Sequence, residues 1–153
     1  MNLLVINMLN GISFGMILFL LAVGLSITLG VMGILNLAHG ALFVIGGFVG
    51  LSVIRAGGNF WIAILCGSIG AGLVGFLTER LFLNRLYRQL DEQALLTLGL
   101  VYIIQNIILW IYGGGPTRYD QPSVFDVSVV IGGYTFPIWR LVLIIVGIVA
   151  FVA

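Results

Sequence analysis

The sequence predicts an all-α, polytopic helical membrane protein with about five transmembrane helices and a small extramembrane loop or hairpin. Of the 153 residues, 61% are hydrophobic and 7% are charged, whereas soluble domains carry roughly 25% charged residues. The first 54 residues contain no Asp, Glu, Lys or Arg, and the mean hydropathy is +1.26. A chain with so few polar groups cannot build a surface for water, so its expected solvent is lipid.

Composition also excludes several classes of function. The net charge is +1, so the sequence does not predict the basic surface that binds nucleic acid. The single cysteine, Cys66, rules out an intrachain disulfide. No metal cluster, phosphate loop or nucleophile–base pair is evident, so we expect no cofactor, no metal and no enzyme activity. A cleavable signal peptide is not predicted, because the N-terminus lacks a positively charged region.

The first two spans are predicted over residues 3–29 and 37–54. Gly30 and Gly33 fall between them, and glycine weakens a helix interior by about 1 kcal/mol relative to alanine. One uninterrupted helix over both spans would be about 78 Å long, against a hydrocarbon core of roughly 30 Å. The chain is therefore expected to turn within residues 30–36.

The next two spans are predicted over residues 60–77 and 94–112. A short turn at residues 55–59 precedes the third span. Residues 79–92 hold most of the charged side chains, interleaved with Leu, Phe and Tyr, and predict a helical extension and loop at the membrane surface. Three glycines and a proline at residues 113–116 end the fourth span.

The last span is predicted over residues 138–153, after an extramembrane loop at residues 117–137. Within this loop two β-prone runs flank Gly132 and Gly133, which predicts a small hairpin. Trp139 and Arg140 have the composition of interfacial anchors at the start of the span.

Arginine positions predict the orientation. Residues 79–92 contain three of the six arginines, which places that loop in the cytoplasm by the positive-inside rule and the N-terminus outside. Arg55, Arg118 and Arg140 would then lie outside, so the total count does not favour either orientation.

Small residues recur at helical spacing in the second and third spans. Inside lipid, helices associate through close backbone approach rather than through the hydrophobic effect. We therefore predict a helix-packing set, as opposed to chance in a chain with 22 glycines. It consists of Gly46, Gly50, Ala63, Gly67, Ala71 and Gly75.

Asn36 and His39 form a polar pair in an otherwise apolar stretch. Asn36 is suited to N-cap the second helix, which would put His39 in its first turn. Two interpretations stay open: a cap with an interhelical hydrogen bond, or direct contact with a permeating solute. Metal binding is not expected, since no second His or Cys lies at ligand spacing.

Gln105 and Asn106 lie in the middle of the fourth span. Amides at that depth need partners, so we expect them to face the bundle or a polar cavity, again as packing groups or solute contacts. Thr97 and Thr28 are expected to bond to their own helices. The middle of every span lacks ionisable residues, which argues against an ion-coupled carrier.

Several motifs resemble the permeases of bacterial branched-chain amino acid ABC transporters. These are Asn-Gly-Ile-Ser-Phe-Gly at residues 10–15, Gly-Val-Met-Gly-Ile-Leu-Asn-Leu-Ala-His-Gly at residues 30–40, Thr-Glu-Arg at residues 78–80 and Thr-Leu-Gly-Leu at residues 97–100. The resemblance runs in order over essentially the whole chain. It is closest to the permease type whose signature carries Asn-x-Ala-His-Gly.

The resemblance implies a multi-pass subunit of the inner membrane. It further implies four kinds of partner: a second permease, cytoplasmic ATPase subunits that hydrolyse ATP, a periplasmic substrate-binding protein and an amino-acid substrate. Family members are roughly twice as long and carry the loop that contacts the ATPase beyond the fifth span. The chain therefore resembles an N-terminal half, which by itself is not expected to transport.

Two other functions remain open at this stage. Permeases for urea or short-chain amides resemble the same family and share the Asn-x-Ala-His-Gly region. A membrane assembly protein that only packs helices belongs to a different class and would not need the polar motif.

Overall fold

The structure, a computed structural model, describes residues 2–115, 128–131 and 134–152. Five helices account for most of these residues, which confirms the all-α class. They are α1 (Asn2–Met32), α2 (His39–Arg55), α3 (Phe60–Leu81), α4 (Leu90–Tyr112) and α5 (Ile138–Val152). Strands β1 (Ser128–Ile131) and β2 (Tyr134–Pro137) form an antiparallel hairpin, with Val129 opposite Phe136. The two glycines of the expected hairpin turn lie outside the described residues.

Three of these helices are long and apolar enough to cross a membrane, namely α1 from Leu4 onward, α3 and α4. Their outward surfaces carry large apolar side chains, as shown by Trp110 at 87% exposure and Leu95 at 75%. Such surfaces suit lipid rather than water. Helices α2 and α5 are shorter, and that they also cross stays a prediction.

Helix bounds differ from the predicted spans mainly around the charged loop. Helix α3 continues to Leu81 and α4 begins at Leu90, so charged residues sit on the ends of both helices. Between them Leu83–Leu86 forms a 3₁₀ turn with Leu83 buried. The chain then passes through Arg88 at φ +75°, a left-handed conformation that non-glycine residues rarely adopt.

The Tyr87 hydroxyl donates to Glu79 across this loop. That hydrogen bond is the main reason why the pKa of the Tyr87 phenol is raised, with smaller contributions from burial and from the negative charge of Glu79. On the same surface, the guanidinium carbon of Arg80 lies 5.8 Å from the centre of the Phe76 ring.

Glycines end two of the helices, as the sequence predicts. Gly33 follows α1 at φ +64°, and its N–H donates to Leu29 O at 3.1 Å. Gly57 follows α2 at φ +83°. Only glycine adopts this left-handed geometry without strain, which is why it terminates helices so often. Asn59 then caps α3 by accepting a hydrogen bond from Trp61 N–H at 3.2 Å.

The chain divides into two compact units, Met1–Val23 with Asp120–Ala153, and Gly24–Tyr119. In the first, α5 packs on the N-terminal part of α1: a Cβ at Gly147 would lie 2.6 Å from the Met16 sulfur. Arg140, expected as an interfacial anchor, donates to the Asn10 side-chain oxygen and lies 5.0 Å from the Trp139 ring centre. The guanidinium group therefore has a hydrogen-bond partner at the start of α5.

In the second unit, α2 and α3 pack backbone against backbone. A Cβ at Gly46 would lie 3.2 Å from Gly67 O, and one at Gly50 would lie 3.2 Å from Ala63 O. In the opposite direction, a Cβ at Gly67 would lie 2.5 Å from Gly46 O. Further along, Gly75 faces Leu42, and Ala71 contributes its methyl group opposite Gly46. The structure thus places all six residues of the predicted packing set along the α2–α3 interface.

Helices α2 and α4 run side by side in the same direction. Just before α2, Leu37 N–H donates to Thr97 Oγ1, and near the end of α2 Ser52 hydrogen-bonds Tyr112. In both pairs the two residues are 60 positions apart in the sequence. The Tyr112 hydroxyl also donates to Phe48 O at 3.2 Å, and the two rings lie 4.4 Å apart between centres. Polar contacts therefore fix both ends of this helix pair.

Candidate functional site

The candidate site is the junction, the non-helical residues 33–38 that separate α1 from α2. Non-helical backbone at membrane depth is tolerated where it is buried in protein or lines a cavity. The N–H groups of these residues would be costly without partners, at about 1–3 kcal/mol each when buried. The N–H groups of Gly33 and Ile34 donate to the end of α1, and the residues after them need other partners.

Asn36 supplies two of these hydrogen bonds. Its side-chain oxygen accepts from Ala38 N–H at 3.0 Å, and its carbonyl accepts from His39 N–H at 3.2 Å. The N-cap of α2 is Ala38, which makes no side-chain cap hydrogen bond. The prediction that Asn36 is the N-cap was therefore wrong: Asn36 closes the turn before the helix, and its side chain bonds two residues ahead, as Asn commonly does in turns.

His39 is the first residue of α2, in the first helical turn as predicted, and it packs against α1. A Cβ at Gly24 would overlap the Nε2 atom of His39, so the imidazole occupies the space that glycine leaves on α1. The side chain is half-buried. Among the described residues the imidazole makes no hydrogen bond, so the interhelical hydrogen bond that the packing interpretation requires is not formed there.

Helix α4 provides the other partners of the junction. The Gln93 side-chain oxygen accepts from Leu35 N–H at 2.7 Å, and Thr97 Oγ1 accepts from Leu37 N–H at 3.1 Å. Both side chains are fully buried. The prediction that Thr97 bonds only to its own helix was incomplete, because its hydroxyl donates to Gln93 O at 2.7 Å and also accepts from the junction.

Sequence reasoning did not single out Gln93. It directly follows Asp91 and Glu92. In the sequence it is therefore indistinguishable from a solvated polar residue at the end of a helix. Nothing local distinguishes it, because its partner Leu35 is 58 residues away.

The depth of the junction follows from these contacts. Thr97 lies about 10 Å along α4 from Leu90, at 1.5 Å per residue. The junction therefore contacts α4 about one to two turns from its charged end, where Asp91 and Glu92 lie. It connects α1 to α2 beside the first two turns of α4.

Gln105 and Asn106 are placed elsewhere. Both are exposed on α4, and the Asn106 amide donates to Tyr102 O of its own helix at 2.7 Å. In this chain they do not face the junction, and that they face a polar cavity stays a prediction. Their long side chains can bond to their own helix or reach outward, which hydropathy alone does not reveal. The structure does not bring them to Asn36 and His39.

A shallow recess of about 400 Å³ runs along the α2–α3 interface. Glycine, alanine and aromatic or aliphatic side chains form its walls, and Ser68 is the one polar side chain among the lining residues. The charged groups of an amino acid would find no partner there. Among the described residues no group of three or more His, Cys, Asp or Glu could hold a metal ion.

Comparison with known proteins gives one family. Residues 7–153 match the family described as the permease component of branched-chain amino acid transport systems. No solved structure matches the chain.

The similar curated proteins are permeases of the same kind. The chain is 27% identical over 136 residues to the high-affinity branched-chain amino acid transport system permease protein LivH of Salmonella typhimurium, and to LivH of Escherichia coli K12. Each alignment covers 82% of this chain and 44% of the relative. The chain therefore spans less than half the length of the relatives that it matches.

Proposed function

The chain belongs to the permease family of branched-chain amino acid transport systems, and we propose that it forms part of the solute pathway of a binding-protein-dependent ABC importer for branched-chain amino acids. The observation that carries this proposal is the match to that family over residues 7–153. Helices with apolar outer surfaces support a membrane location.

The proposed importer contains further chains. A second permease would complete the pathway, cytoplasmic ATPase subunits would supply the energy, and a periplasmic binding protein would deliver the amino acid. We place the chain in the inner membrane as a multi-pass subunit with its N-terminus outside. The junction and the loop at residues 79–92 would then face the cytoplasmic side, since both lie at the same end of α4.

The junction is the part of this chain that suits a solute pathway. Transporters commonly form substrate sites where helices are broken, because the backbone there exposes polar groups inside the membrane. Asn36 and His39 lie where the helical structure is interrupted between α1 and α2, and the His39 imidazole is hydrogen-bonded to none of the described residues. We propose that His39 and Asn36 contact the permeating amino acid. We further propose that Gln105 and Asn106 face the pathway in the assembled transporter.

Uptake by the native organism tests this function. With the chromosomal copy deleted, we expect uptake of labelled leucine, isoleucine or valine to fall, and to return with the intact gene. Urea uptake is measured in the same strains. If deletion abolished urea uptake and left leucine uptake normal, the proposed substrate class would be contradicted. Depletion of ATP should abolish leucine uptake while an uncoupler should not, which distinguishes an ABC importer from an ion-coupled carrier.

Single substitutions test the junction. We expect Asn36→Ala and His39→Ala to lower leucine uptake at least about tenfold, since each removes a polar contact worth about 1.4 kcal/mol. Asn84→Ala is the matched control, because Asn84 is exposed on the 3₁₀ turn. Immunoblots of the membrane fraction establish that protein levels are equal. Normal uptake by both variants would reduce Asn36 and His39 to packing residues.

A further inference from the structure

Two buried polar side chains on α4 match the spacing of the junction backbone. Gln93 and Thr97 are one helical turn apart, a rise of about 6 Å. Leu35 and Leu37 are two residues apart, and two residues of chain span up to about 6.6 Å. The two spacings agree, so α4 can receive both N–H groups at once, at 2.7 Å and 3.1 Å.

Other hydrogen bonds orient each of these two side chains so that its oxygen faces the junction. The Thr97 hydroxyl gives its proton to Gln93 O at 2.7 Å, which leaves its lone pairs for Leu37 N–H. The Gln93 amide donates to Leu86 O of the 3₁₀ turn at 2.8 Å, which leaves its oxygen for Leu35 N–H. Gln93 thus joins three separate segments: α4, the charged loop and the junction.

The same hydrogen bonds leave the junction little freedom. The N–H groups of Leu35 and Leu37 bond to Gln93 and Thr97, and those of Ala38 and His39 bond to Asn36. Three of these four N–H groups bond to side chains, and the His39 N–H bonds to the Asn36 carbonyl, so a regular helix does not fix the path of the chain here. Both Gln93 and Thr97 are fully buried, so water does not replace them.

We propose that Gln93 and Thr97 are positioning residues that hold the junction in the conformation presenting Asn36 and His39, and that Gln93 couples this conformation to the 3₁₀ turn at Leu83–Leu86. The functional part of this inference rests on the proposed transport role. The positioning part rests on geometry alone. A movement of the charged loop would reach the junction through the Gln93 amide.

Cysteine labelling measures the positioning directly, in detergent-solubilised protein. The native Cys66 is changed to Ser, and Leu37→Cys is introduced, because the Leu37 side chain is partly exposed within the junction. Loss of one buried hydrogen bond favours opening by about tenfold, which corresponds to about 1.4 kcal/mol. We therefore expect Gln93→Met and Thr97→Val each to accelerate maleimide labelling about tenfold.

Matched variants separate positioning from general loosening. Thr28→Val makes the same chemical change as Thr97→Val, but within the described part of the chain the Thr28 hydroxyl bonds only to Leu25 O of its own helix, at 2.9 Å. We expect it to change labelling by less than about twofold. Thr97→Ser keeps the hydroxyl and should label like the parent. A reference cysteine, Ala56→Cys in the turn after α2, should label at the same rate in every background.

Four results would overturn the positioning proposal: unchanged labelling in both Gln93→Met and Thr97→Val, equal acceleration by Thr28→Val, failure of Thr97→Ser to label like the parent, or equal acceleration at Ala56→Cys. Leucine uptake is then measured for the same variants in the complete transporter. We expect Gln93→Met to lower its maximal rate about tenfold and Thr97→Ser to retain it. Faster labelling with normal uptake would overturn the functional part of the proposal.

The two levels of proposal fail in different ways. If the parent transporter does not take up leucine at all, the proposed function is overturned. The labelling result does not depend on uptake, so it still decides whether Gln93 and Thr97 position the junction.

Discussion

The α2–α3 interface and the junction both hold α2 in place, and they do so by opposite means. At the interface, small residues let the backbones approach, and the carbonyls of Gly67 and Ala63 face glycines of α2. At the junction, the side chains of Gln93 and Thr97 replace the missing helical hydrogen bonds. The first contact depends on shape and the second on polar complementarity, so they should respond differently to substitution.

This difference bears on how the molecule can move. Backbone packing between glycines tolerates little separation, because dispersion is lost over fractions of an ångström. A few hydrogen bonds can exchange partners between discrete arrangements. We therefore expect α2 and α3 to move as one body and the junction to be where a conformational change takes place.

The largest expected effect is at the α2–α3 interface. Gly67→Val should lower the free energy of unfolding by about 3 kcal/mol, since overpacking of a tight contact is costly and a Cβ there would lie 2.5 Å from Gly46 O. Unfolding by sodium dodecyl sulfate in mixed micelles measures it.

Gly72→Val is the matched control on the same helix, because nothing lies within 4 Å of a Cβ at Gly72. It should change the free energy by no more than about 0.5 kcal/mol. If both variants cost the same, the close approach of α2 and α3 does not stabilise the protein.

A second variant tests shape at the junction itself. Gly24→Ala should cost about 1.5 kcal/mol, because the new methyl group forces the His39 imidazole out of its place. The same substitution in a His39→Ala background should cost nearly nothing, which a double-mutant cycle measures. Gly30→Ala, with open space around its Cβ position, is the control. Additive costs would show that Gly24 does not accommodate His39.

A third variant tests the far end of the α2–α4 pair. Tyr112→Phe removes the hydroxyl that bonds to Ser52 and Phe48 O, and should cost about 1 kcal/mol. Tyr102→Phe is the control, since Tyr102 lies exposed on the same helix. A junction label such as Leu37→Cys should not respond to Tyr112→Phe. A response would mean that the two ends of α4 are coupled.

The smallest expected effect concerns the charged loop next to the junction. The raised pKa of Tyr87 means that the folded protein favours the neutral phenol. This stabilisation is fully present below the unfolded-state pKa of ~10 and is lost as pH rises through the higher folded-state pKa.

A spectroscopic titration of tyrosinate, compared with Tyr87→Phe, should show that the Tyr87 phenol titrates above ~10. Glu79→Gln should bring its pKa back toward that value, because the negative charge and the strong acceptor are removed. A normal pKa in the parent protein would show that the Glu79–Tyr87 hydrogen bond does not persist.

The sequence by itself determined the helical class, the turns within residues 30–36 and 55–59, and the small residues that recur at helical spacing along α2 and α3. These features depend on local signals: apolar runs, glycines at helix ends and small residues every four positions, each readable from a short window. The hairpin strands were equally local.

Only the tertiary structure decided how the junction is held. In the local sequence Gln93 resembles an ordinary polar residue. Its role depends on Leu35, which is 58 residues away in the sequence and lies next to it only in the folded chain. The same holds for His39, whose place depends on Gly24 of α1, and for Gln105 and Asn106, which hydropathy could not orient. Apolar periodicity specifies which surface a helix buries, but a hydrogen bond between distant segments depends on where both backbones lie, and no local pattern encodes that.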